Sequence, residues 1–308
     1  MNTPRRVAAA LTAVLAAGLI ASCGSDTGTT VASSAAASGT PAPASERPSA
    51  KAPAATVEVS ADTSALEHIH NLGLTGDTLL IGSHQGLFRQ PPGQPPRRVG
   101  EPFDVMGFTI TGNRWLASGH PGEGMNAPPD LGLLESDDEG ATWADVSLAG
   151  QADFHRLTAS STTVLGVNSG HGMLWRSTDS GRTWTTGGPG PFDLALNPRN
   201  HRQAVGTTQD GPITSDDGGK TWKPLTDAPL IALLAWTDEG LWGVTPDGKV
   251  YESTDAGKTW RKTGQVDGEP STLAATRTHI NVLAGDTIWE SLDQGATFTP
   301  RVTGIPGH

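Results

Sequence analysis

Six histidines fall in one stretch of the chain: His68 and His70 in HIHNLGL, His84 in GSHQG, His120 in SGHPG, His155 in DFHRL and His171 in SGHGM. Neutral imidazoles ligate soft and borderline metal ions, move protons near neutral pH and hydrogen-bond to polyols. Met106 lies among them; a thioether beside imidazoles suits copper, and imidazoles alone suit copper or zinc. Carboxylates are interspersed at Asp104, Glu123, Asp153 and Asp193. A pair of carboxyl groups flanking a glycosidic bond is what a glycosidase needs, so these four are the candidate catalytic acids. Arg156, beside His155, adds a cation. The candidate ligand-binding set is therefore His68, His70, His84, Met106, His120, His155, Arg156 and His171, with His70, Met106, His155, His84, His120 and His171 as candidate metal ligands.

Whether these side chains meet depends on the elements that carry them, and repetition in the sequence defines those elements. Five octapeptides share one pattern: SDDEGATW, STDSGRTW, SDDGGKTW, STDAGKTW and SLDQGATF, beginning at Ser136, Ser177, Ser215, Ser253 and Ser291, so the steps are 41, 38, 38 and 38 residues. Each is preceded by a short strand-like run (LGLLES, GMLWRS, GPITS, KVYES, TIWES), and GLFRQ followed by PPGQPP reads as a sixth, degenerate unit. Two further apolar runs lie upstream of each. A period near 40 residues in a Gly- and Pro-rich chain predicts four-stranded propeller blades. The expected fold is all-β, a six-bladed β-propeller, with seven blades as the alternative if Thr56 to Ser60 belongs to another unit.

In such a unit the octapeptide is the turn between the third and fourth strands. Asp138, Asp179, Asp217, Asp255 and Asp293 accept hydrogen bonds from turn amides, the glycine takes positive φ, and the aromatic packs between layers. The residues answer a folding need. A calcium loop is a poor fit, since its remaining oxygen ligands and distal Glu are missing. Because strands alternate in direction, these turns mark one face, and the starts of first strands and ends of second strands open onto the other. Aligned by repeat, His70, Met106 and His155 share one position with Asp193, Ala232 and Thr272, while His84, His120 and His171 share a second. Both positions lie on the face away from the octapeptides, over the first three blades. The insertion HPGEGMNAPPD, with Glu123, Met125 and Asn126, falls beside them as a candidate lid.

The Ser-x-Asp-x-Gly-x-Thr-Trp pattern resembles the Asp-box, or BNR, repeats of the sialidase-like superfamily, which also occur in sortilin-type receptors and photosystem assembly factors. The resemblance spans the repeated region and implies the propeller fold; for function it implies an enzyme, a receptor or an assembly factor. A sialidase would need a Tyr nucleophile, an Asp acid and three arginines. The sole tyrosine, Tyr251, lies near the octapeptide face, Phe88-Arg89-Gln90-Pro91 falls on a third strand rather than an inner one, and Arg156 alone falls near the histidines. The sialidase pattern is not met.

Net charge of −11 excludes a phosphate-neutralising surface, hence nucleic acid as a partner. Residues 1–22 hold Arg5 and Arg6, an apolar run and small residues, the layout of an export signal. LIASCG around Cys23 resembles a lipoprotein cleavage box, which assigns Cys23 as the lipidation site and gives the only cysteine a role. Residues 23–60 are a Ser/Ala/Pro/Thr tether, and 61–308 the propeller. The expected product is a monomeric extracytoplasmic lipoprotein anchored to the cell membrane. Three readings of its histidine face stay open: a metal or ligand binder, a sialidase-like glycoside hydrolase acting on a glycan, and a docking platform for an envelope protein.

Overall fold

The computed structural model describes residues 66–306. The signal, Cys23, the tether and the Thr56 to Ser60 segment lie outside them. The described residues form six four-stranded antiparallel sheets, each built from strands consecutive in sequence. Blade 1 comprises β1 (Ile69–Thr75), β2 (Thr78–Ser83), β3 (Gly86–Gln90) and β4 (Arg97–Val99). Blade 2 comprises β5 (Asp104–Thr111), β6 (Arg114–His120), β7 (Leu133–Ser136) and β8 (Ala144–Ser147), and blade 3 β9 (Phe154–Ser160), β10 (Thr163–Asn168), β11 (Met173–Ser177) and β12 (Thr185–Pro189). Blade 4 holds β13 (Leu194–Asn197), β14 (Asn200–Thr208), β15 (Gly211–Ser215) and β16 (Lys223–Pro224). Blade 5 holds β17 (Leu233–Trp236), β18 (Leu241–Val244), β19 (Lys249–Ser253) and β20 (Arg261–Gln265), and blade 6 β21 (Pro270–Ala275), β22 (Ile280–Ala284), β23 (Thr287–Ser291) and β24 (Thr299–Val302). The fold is a six-bladed β-propeller, and every described strand is used by six blades rather than seven.

The burial pattern follows from position in the blade. Second strands such as β2, TLLIGS, are buried on both faces and read as continuous apolar runs. Outer strands such as β12, TTGGP, are exposed throughout. These edges are short and carry Pro189, Pro224 and Pro300, which remove ladder donors and discourage pairing with another chain. Six apolar clusters fill the six blade interfaces, one of which joins Ile69, Leu72 and Phe88 of blade 1 to Leu283, Ile288 and Val302 of blade 6. The ring therefore closes by packing, without exchange of a strand. Arg301 reinforces this seam: its side chain is 4% exposed and pairs with Glu290, while Nε donates to Gln90 Oε1 at 2.7 Å and Nη2 to the Asp77 and Gln90 carbonyls at 2.8 and 3.0 Å.

The octapeptide turns repeat one hydrogen-bond circuit. At Ser136 the hydroxyl donates to Asp138 Oδ1 (2.9 Å) and accepts from the Gly140 amide (2.8 Å). Asp138 then accepts from the Thr142 amide and hydroxyl at 2.9 and 2.7 Å. The same bonds recur at Asp179, Asp217, Asp255 and Asp293. Two successive residues of each turn are left-handed, not the glycine alone: Glu139, Ser180, Gly218, Ala256 and Gln294 precede it with φ between 59° and 73°. In blade 1, Gln90 stands where the serine would and donates to the Pro91 and Gln94 carbonyls at 2.9 and 2.8 Å. All these turns lie on one face.

Candidate functional site

The opposite face is built by the starts of β1, β5 and β9 and the ends of β2, β6 and β10. Antiparallel pairing within a blade sets a first-strand start beside a second-strand end: Ile69 faces Ser83, Asp104 faces His120, and Phe154 faces Asn168. Each first strand carries an irregularity of register at this point, which re-aims the side chains. Gly119 allows the closest approach. Its φ is 153°, and a Cβ there would sit 1.8 Å from the Asp104 carbonyl oxygen. Only glycine brings β6 this near to Asp104.

Two groups of ligating side chains result, each within 4.8 Å across its ligand atoms: His70, His84 and Asp104, and His120, Asp153 and His155. Each straddles a blade interface. In the first, Asp104 lies between two imidazoles, with Oδ1 3.4 Å from His70 Nε2 and Oδ2 3.4 Å from His84 Nε2. Neither contact is a hydrogen bond, and His70 Nε2 and Asp104 Oδ1 are buried without a partner. Among the described residues seven buried side-chain polar atoms lack partners, and three of them, these two and Asp153 Oδ1, belong to the two groups. Such atoms are costly to leave unpaired. His68 flanks the first group: its ring and that of His70 each lie 4.8 Å from the His84 ring.

In the second group Asp153, 5% exposed, is the hub. His155 Nε2 lies 2.6 Å from its Oδ2, the Ser169 hydroxyl donates to the same oxygen at 2.6 Å, and His120 Nε2 stands 3.5 Å away. His120 Nδ1 contacts the Pro129 carbonyl at 2.9 Å. A carbonyl only accepts, so Nδ1 carries the proton, and the neutral ring turns its Nε2 lone pair toward Asp153. Asp130 Oδ1 lies 3.8 Å from Nδ1.

Burial favours the neutral form of His84 and lowers its pKa, helped by His70, His68 and His120 and opposed by Asp104. For His120, burial is outweighed by the Pro129 carbonyl and the carboxylates of Asp153, Asp104 and Asp130, and the pKa rises. Burial would raise the Asp153 pKa, but hydrogen bonds from His155 and Ser169 and the nearby imidazoles hold it below the usual value.

The other expected residues are placed as follows. Met106 is half-buried, and its contact with Asn71 Nδ2, at 2.7 Å, is through its carbonyl. His171 is exposed in the turn after β10, outside both groups. In the insertion, Glu123 and Asn126 are exposed, whereas Met125 packs on the blade 1–2 core; the insertion reaches the site through Pro129 and Asp130. Asp193 accepts from the Leu194 and Leu234 amides at 3.0 and 2.8 Å, and Arg156 Nε lies 3.6 Å from it. Burial raises its pKa against the pull of Arg156 and those amides. Asp193 and Arg156 line a central cavity of about 220 Å³ walled by the six inner strands. Tyr251 lies on β19, half-buried in the blade 4–5 cluster. Sequence reasoning missed Ser169, Pro129 and Asp130, whose hydroxyl, carbonyl and carboxylate carry no signature of their own.

The BNR/Asp-box repeat profile matches residues 213–224, the fourth-blade turn with its flanking strands. No curated sequence matches the chain significantly. Among solved structures, one from a nidogen/laminin complex is similar with a TM-score of 0.56, 10% identity, 72% of this chain and 91% of that one. A xyloglucanase from Xanthomonas campestris gives 0.50 at 14% identity over 76% of this chain, which spans 45% of the enzyme's length. YCF48 bound to a D1 peptide gives 0.49 at 19% identity, 77% and 83% covered. At these identities the likeness is one of fold.

Proposed function

We propose that this Asp-box β-propeller binds transition-metal ions, zinc foremost, at its two His/Asp groups, and that it does so outside the cytoplasm on a membrane anchor at Cys23. The supporting observation is the spacing of imidazole and carboxylate. Two ligands on a tetrahedral ion with bonds of 2.0–2.1 Å stand about 3.3 to 3.4 Å apart. His70 and His84 each stand 3.4 Å from an Asp104 oxygen, and His120 stands 3.5 Å from Asp153. These gaps are too long and misdirected for hydrogen bonds, and at His120 the neutral ring leaves its Nε2 lone pair facing the Asp153 carboxylate. A cation between them removes the conflict. Two imidazoles and a carboxylate are a nitrogen and oxygen donor set of the kind that holds zinc.

Equilibrium dialysis of the purified propeller against zinc tests this. The expected result is two bound equivalents, one lost in a His70→Ala/His84→Ala double variant and the other in His120→Ala/His155→Ala. Failure of zinc or copper to bind, or binding untouched by both double variants, overturns the reading. For the anchor, radiolabelled palmitate should enter the wild type and not Cys23→Ser; equal labelling of both refutes that part.

A further inference from the structure

We infer that the two sites are unlike in coordination: the first is closed by His68 as a fourth protein ligand, whereas the second keeps one position open for an external donor, such as water, hydroxide or a small anion. This rests on the metal reading above and adds to it what each site does with its remaining coordination position.

His68 is held in a conformation that side chains avoid. Its φ is 51°, in the left-handed region that residues other than glycine enter only at a cost in strain. What the backbone gains there is the position of the ring, tilted by 31° against His84 at 4.8 Å, on a par with His70 at 4.8 Å and 39°. His84 thus contacts two imidazoles, His70 within the ligand group and His68 outside the set whose ligand atoms lie within 4.8 Å of one another. The His68 residue is exposed, and a turn of its side chain would bring a ring nitrogen into the group. Three imidazoles and one carboxylate make a complete tetrahedral set, the mark of a closed site.

The second site lacks the corresponding residue. In the repeat, His68 and His70 correspond to Asp104 and Met106 one blade on, and to Asp153 and His155 after that. The residue equivalent to His68 beside the second site is therefore Asp104, already committed between His70 and His84. His120, His155 and Asp153 remain as three ligands, and both imidazoles are about two-fifths exposed, at 40% and 41%. Outer contacts hold two of these three in place, Pro129 on His120 Nδ1 and Ser169 on Asp153, as hydrogen-bond partners of ligands do in metal sites. With buried Asp153 and two part-exposed imidazoles as its protein ligands, an ion here would leave its fourth position to water, which zinc would bring to ionise near neutral pH.

Cobalt(II) substitution reads the difference, because visible d–d bands report coordination number and exchangeable ligands. The propeller should take up two equivalents. Azide should shift the bands of one ion saturably and leave those of the other unchanged. His155→Ala should abolish the azide-sensitive ion alone, and His68→Ala, an exposed position with little effect on folding, should render the first ion azide-sensitive. If both ions or neither respond to azide in the wild type, or if His68→Ala leaves the first ion insensitive, the inference falls while the metal reading stands. If cobalt does not bind at all, both fall.

Discussion

Replacing Ser169 by alanine removes one hydroxyl beside the second site and leaves every proposed metal ligand in the chain. The bond it deletes is a charge-assisted one of 2.6 Å to Asp153 Oδ2, and the Asp153 side chain is 6% exposed, so solvent does little to replace it. Bonds of this kind contribute about 1.5 to 3 kcal/mol. At about 1.4 kcal/mol per tenfold, the second zinc equivalent should weaken roughly 10- to 100-fold, the range seen when an outer-shell partner of a ligand is lost. The first equivalent, at His70, His84 and Asp104, should not move. Competition against a chromogenic chelator separates the two affinities, and Ser169→Thr, which keeps the hydroxyl, should restore the second. The reasoning is refuted if the second affinity shifts by less than about threefold, under 1 kcal/mol, or if both sites weaken together.

Zinc at one hundred times its dissociation constant should stabilise the fold by about 2.7 kcal/mol per site, raising Tm by about 5 to 10 °C per site; an unchanged melting curve refutes the linkage. Gly119→Ala forces a Cβ to within 1.8 Å of the Asp104 carbonyl and should weaken both zinc equivalents, because Asp104 serves one site and His120 the other; titration checks it. Arg301→Ala strips the partner from Glu290 at the blade 6–1 seam and should cost about 3 kcal/mol or more in urea unfolding, with Arg301→Lys recovering only part. Asp179 and Asp293 are held at a pKa of about 2, chiefly by the hydroxyl and amide of Thr183 and Thr297. Their folded-state values lie below the unfolded value near 4, so the stability they contribute is present above about pH 4 and is lost as pH falls toward 2. Asp179→Asn should flatten that part of a stability-against-pH curve.

The blades were legible because the octapeptide states its own geometry. Serine, aspartate, glycine and threonine at fixed offsets permit one circuit, and the five strands read before it, from LGLLES to TIWES, end at the box serine in the structure as in the sequence. Blade 1 was legible only by analogy, since Gln90 fastens its turn with the opposite polarity, donating where a serine would accept from the glycine amide. The left-handed residue before each glycine was not legible: Glu139, Ser180, Ala256 and Gln294 share no chemistry, and the turn imposes the conformation on them.

For the site, the repeat brought equivalent strand ends to one face but did not say which neighbours share a ligand. Aligning columns groups His70 with Met106 and His155, yet His70, His84 and His120 reach diagonally to the next blade's carboxylate, because a first strand packs against the second strand of the blade before it, while His155 meets the carboxylate of its own blade. That geometry explains why Asp104 and Asp153, two residues ahead of Met106 and His155, sit at the centres of the two groups. It also has a mechanical consequence. A ligand held by His84 and Asp104 ties blade 1 to blade 2, and one held by His120 and Asp153 ties blade 2 to blade 3, across interfaces otherwise kept by apolar packing and by hydrogen bonds such as Asn71 Nδ2 to the Met106 carbonyl and the Phe154 amide to the Ser118 hydroxyl. Ions at both groups would therefore make three blades behave as one unit, and slowed amide exchange at β1, β5 and β9, relative to β13, β17 and β21, is where that rigidity would register.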